Sequence, residues 1–143
     1  MRQFHCLIVA SLVLVSGAAL AQDKYDTAPL PAICTKSAMT AQGGTPTDSS
    51  AGAMAMPMDD AHKEFAAGMA KMRAAMSVGI QATDPDIAFN CAMIPHHQGA
   101  ISMARVELKY GKDPENRKLA EKIIETQEKE IMQMLAWLEK HSK

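Results

Sequence analysis

From about Asp60 onward, apolar positions recur every three or four residues, and the pattern restarts twice at an Asp-Pro pair. His62, Phe65, Met69, Met72 and Met76 share one stripe between a capping Asp59 or Asp60 and Gly79, which predicts a first helix from Asp60 to Gly79. Asp84-Pro85-Asp86 supplies a cap, a proline at the first helical position and an acid in the first turn, so a second helix starts there. It runs to about Tyr110, with Gly111 as the residue beyond its end. Pro95 lies inside this helix, removes one backbone hydrogen bond and predicts a kink between Cys91 and Pro95. Asp113-Pro114-Glu115 repeats the start signal, and a third helix continues to about Glu139. Its apolar stripe is Leu119, Ala120, Ile123, Gln127, Ile131, Met134 and Leu138, with Glu130 at the edge and Glu125 and Lys129 paired outside. Three amphipathic helices with short connections predict an all-α fold, an antiparallel bundle of three long helices over residues 59–143.

The preceding residues behave differently. Residues 22–58 lack periodicity and are rich in Ala, Gly, Ser, Thr and Pro, too little apolar surface to offset the entropy of ordering, so they are expected to form a flexible arm pinned at Cys34. Residues 1–21 combine Arg2, an apolar run from Cys6 to Val15 and small residues ending at Ala21. That is the pattern of a secretory signal peptide cleaved after Ala21. The chain is therefore expected in the periplasm or secreted, with no membrane insertion after cleavage. Cleavage leaves 14 basic against 16 acidic side chains, a formal charge of −2, which argues against nucleic acid as a partner. A domain of roughly 85 residues is small enough that a disulfide, a metal or a homodimer partner would help hold it.

Export decides how the two remaining cysteines are read. Cys34 and Cys91 stand in a compartment that permits disulfides, and a bridge between them would tie the arm to the helical domain. The rival is Cys91 as a thiolate ligand beside His96 and His97. At about 100° per residue Cys91 points away from Met93 and His97, which favours the disulfide.

Composition adds a chemical question. Twelve methionines in 143 residues exceed ordinary usage, and Met93, His96, His97 and Met103 fall with Phe89, Ala100, Ala104 and Glu107 in one broad stripe of the second helix. Thioether and imidazole donors together select copper: Met favours copper(I), and neutral imidazole binds copper(I) and copper(II) alike. Calcium or magnesium would call for clustered carboxylates, and structural zinc for several Cys or His. Met69, Met72 and Met76 read equally well as ligands or as flexible fillers of the core, and so does Met134. Met54, Met56 and Met58 lie in a segment with no core to fill, and with nearby His62 they form a second candidate site or an acquisition arm.

The run Met93-Ile94-Pro95-His96-His97-Gln98-Gly99-Ala100-Ile101, with Met103-Ala104 after it and Gln127-Glu128-Lys129-Glu130-Ile131, Met134 and Trp137-Leu138 in the next helix, resembles the bacterial family called domain of unknown function 305. The resemblance spans about His62 to His141. It implies a ferritin-like helical bundle and a periplasmic copper-binding protein that contributes to copper resistance through Met and His ligands. Arg73 stands where many relatives carry His, and Ser102 where they carry Asp, which shifts the first helix toward thioether donors or the site toward the Met54 to Met58 arm.

Three functions follow for comparison. The first is a non-enzymatic protein that sequesters copper or passes it to a copper efflux or chaperone protein. A bundle metallo-oxidase is disfavoured because no Glu-x-x-His pair occurs. A metal-independent, Met-rich interaction module accounts for the helical methionines but leaves His96, His97 and the Met54 to Met58 arm without a role.

Overall fold

A computed structural model describes residues 29–36 and 58–142. Among these residues every regular element is a helix: α1 (Ala32–Lys36), α2 (Asp60–Gly79), α3 (Pro85–Tyr110) and α4 (Pro114–His141). None of them is long and apolar enough to cross a membrane.

The three long helices begin where their caps dictate. The Asp59 carboxylate accepts the backbone N–H of His62, Asp84 those of Asp86 and Ile87, and Asp113 that of Asn116, each cap contributing about 1 kcal/mol. Pro85 and Pro114 follow in the first turn, where a missing N–H costs nothing. α3 continues through Pro95, and α4 runs to His141, slightly past the expected Glu139. Gly111 follows the end of α3, as its position predicts, without the left-handed conformation common at such sites. It is extended, with φ −67° and ψ 144°, and its N–H bonds to the Glu107 carbonyl. Glycine is needed there for space, since a Cβ would fall on the Glu107 carboxylate.

Contacts fix the directions. Glu64 near the start of α2 bonds to Lys109 and Tyr110 at the end of α3, Gly68 faces Ser102, Met72 lies over Gly99, and Gly79 abuts Cys91, so α2 and α3 are antiparallel. Those partners hold the Glu64 carboxyl below the usual carboxylate range, through the hydrogen bond from Lys109 first and that from Tyr110 second. Arg117 of α4 donates to the Leu108 carbonyl at 2.6 Å, and His97 meets Glu130, so α3 and α4 are antiparallel too. α3 is the middle helix, and α2 and α4 pack mainly on it. Its burial therefore extends almost all round, with Ile94, Ile101, Ala104 and Val106 enclosed alongside Ile124, Ile131 and Leu138 of α4.

Three expectations change. On α2 the side turned to α3 carries Gly68, Met72 and Gly79, rotated from the Phe65, Met69 and Met76 line, because small residues let the two backbones approach. Met69 is consequently exposed, while Phe65, Met72 and Met76 are half-buried. On α4, Leu119 is exposed and Ile124 is buried in its place. Finally, part of the segment expected as a flexible arm forms α1. Cys34 bonds to Cys91, both are fully buried, and Leu30 and Ile33 pack against the core, supplying the burial that local periodicity did not announce.

Gly79→Ala should be costly. An added Cβ would sit 2.4 Å from the Cys91 carbonyl oxygen and 2.7 Å from the Ala92 nitrogen, both backbone atoms that cannot step aside. A loss of about 2–3 kcal/mol is expected from urea unfolding. Gly99→Ala meets Met72 first; its Sδ and Cγ can rotate away while its Cβ, 3.0 Å off, needs only a small shift, so the cost should be smaller, about 1–2 kcal/mol.

Candidate functional site

Only two polar side chains are buried among the described residues, Asn90 and His97, and Asn90 bonds to the carbonyl one turn back. His97 is 8 % exposed and sits where α3 meets α4. Its Nδ1 donates to the Met93 carbonyl at 2.8 Å. That bond orients the ring and turns Nε2 toward α4, where the Glu130 Oε2 lies 2.7 Å away. Gln127 donates to the same carboxylate oxygen at 3.2 Å.

A methionine stands one turn from this pair on each helix. Met93 is one turn before His97 on α3, and Met134 is one turn after Glu130 on α4, so antiparallel packing sets the two turns side by side. Met134 belongs to the core cluster, and Met93 packs against that cluster. The arrangement sets a buried imidazole against a half-exposed carboxylate, with a methionine one turn away on each helix. Such a set can take a soft or borderline cation, with the imidazole pre-aimed by a backbone carbonyl.

The remaining candidates lie elsewhere. His96 is exposed, its ring edge-on to His97 with centroids 5.7 Å apart, so the twin imidazoles point to different surroundings. Met103 of α3 and Met69 of α2 are exposed, and the expected single stripe on α3 is split between core and solvent. Met72 is committed to packing over Gly99, and Met76 is half-buried. His62 is exposed and its Nδ1 lies 2.7 Å from the Asp59 carboxylate. That carboxyl is held below its usual range, by the backbone N–H of His62 first and its ring second. Met58 is exposed, and Met54 and Met56 lie outside the described residues. Among the described residues no three His, Cys, Asp or Glu side chains gather as a cation site.

Cys91 is no ligand. Its bond to Cys34 removes the thiolate alternative, as helical phase favoured. Glu130, by contrast, was not expected as a partner of His97; it stands at the edge of the α4 stripe and within the run shared with the family. Its signal was positional, four residues before Met134 and opposite His97 once the turn at Lys112 folds the helices together.

The family described as a domain of unknown function (DUF305) matches residues 23–138. No curated protein matches the chain.

Proposed function

Because the chain belongs to the DUF305 family, we propose that it is an exported copper-binding protein that sequesters copper or hands it to an efflux or chaperone protein, without catalysing a reaction. The observation that carries this reading is the buried His97, aimed by the Met93 carbonyl and enclosed by the Met93 and Met134 turns. Burying an imidazole is costly unless its nitrogens are used, and both are. In the metal-free chain a proton joins Nε2 to the Glu130 carboxylate; on loading, copper would take that nitrogen as the proton leaves to solvent, and the carboxylate would stay beside it as ligand or counter-charge. The two thioethers tilt the preference toward copper(I).

The helices form a ferritin-like antiparallel bundle with α3 bent at Pro95, and the protein works in the periplasm or outside the cell after loss of residues 1–21.

Titrating copper(I) under anaerobic conditions into the purified protein tests the reading. The double variant Met93→Leu/Met134→Leu keeps core volume, so it should fold normally yet bind copper(I) at least about tenfold more weakly. Equal affinity in the variant would remove both sulfurs from the site, and the proposed centre with them.

A further inference from the structure

Phe89 is 61 % exposed, Leu119 56 % and Met103 41 %; Met103 and Leu119 line one groove, and Phe89, fourteen residues before Met103, falls on the same line of α3. Phe89, His96 and Met103 recur at intervals of seven along the outer side of α3, with Met93 and Ala100 between them. That spacing is the seam of a helix packed against another helix at a shallow angle. Phe65 of α2 and Leu119 and Ile123 of α4 stand on either side of Met103 and wall a groove of about 330 Å³. No helix of the described chain occupies this seam, since α2 and α4 reach α3 from its flanks.

We propose that a second copy of this chain covers the face, α3 packed antiparallel on α3 about a two-fold axis near His96. A two-fold contact must be self-complementary, so that residue i meets j and j meets i. Centring the pair on His96 satisfies this: Phe89 and Met103 are each seven residues away, so Phe89 of each copy packs on Met103 of the other. Aromatic ring against thioether is a favourable contact. The size also fits. From Phe89 to Met103 the seam is about 21 Å long, and three helices 8–10 Å apart make the face roughly 30 Å wide. The patch is then on the order of 600 Å² per copy, near the range of stable interfaces.

No metal is required, so sedimentation velocity in the presence of a chelator judges the dimer apart from the copper reading. The purified protein should show a concentration-dependent monomer–dimer equilibrium. Phe89→Glu, at a surface position, should retain its circular dichroism and weaken association by roughly 100-fold. Oxidising His96→Cys should give a covalent dimer, whereas Met132→Cys, on another side of α4, should not. A monomer at every concentration, association unaffected by Phe89→Glu, or equal cross-linking by both cysteines would overturn the proposal.

Discussion

Replacing Cys34 and Cys91 together by alanine should lower the free energy of unfolding by about 4 kcal/mol, the chain-entropy value for a closed loop of this length. The bond spans 57 residues and joins α1 to the start of α3. Helix α1 has five residues, too short to persist alone, so its burial of Leu30 and Ile33 depends on the tether. Alanine is the right replacement because both sites are fully enclosed, and a serine hydroxyl there would add its own desolvation cost. Urea titration of the oxidised protein and the double variant measures the difference. The same burial implies that a mild reductant leaves the native bond intact and cleaves it only as the chain unfolds.

His97→Ala should weaken copper binding by roughly 100-fold, while His96→Ala should change it by less than about threefold. The contrast follows from geometry, since the two rings are neighbours in sequence and differ in surroundings. His97 is fixed by the Met93 carbonyl, bonds to Glu130 and lies one turn from Met93 on its own helix; His96 is exposed, with the His97 ring edge-on to it. Stability should follow the same order. Truncating His97 opens a cavity between α3 and α4 at a cost of about 2 kcal/mol, whereas the surface His96 should cost less than about 0.5 kcal/mol. Isothermal copper titration and thermal unfolding of both variants measure these effects.

Most of the fold was legible because its start signals are local. Asp59, Asp84 and Asp113 each satisfy their own helix N-terminus, so no distant contact was needed to find them. Facing was less legible. A methionine stripe and a glycine stripe lie side by side on α2, and the choice between them rests on how closely the backbone of α3 approaches, which periodicity does not encode. Adjacent His96 and His97 likewise differ by one helical step, enough to send one to solvent and the other into the α3–α4 cleft. Glu130 was the missed partner. Counting outward from Lys112, His97 is fifteen residues back and Glu130 eighteen on, so reflecting α3 through the turn comes within one helical turn of the pair. The α1 segment was illegible for a different reason, because a covalent bond to Cys91 rather than its own pattern secures it.

X-ray absorption at the copper edge of the copper(I)-loaded protein tests the central claim most directly. Sulfur scatterers together with a nitrogen or oxygen shell are expected, with the sulfur contribution lost in Met93→Leu/Met134→Leu and the imidazole contribution lost in His97→Ala. A nitrogen and oxygen shell alone, or a spectrum indifferent to these substitutions, would contradict a copper centre between α3 and α4.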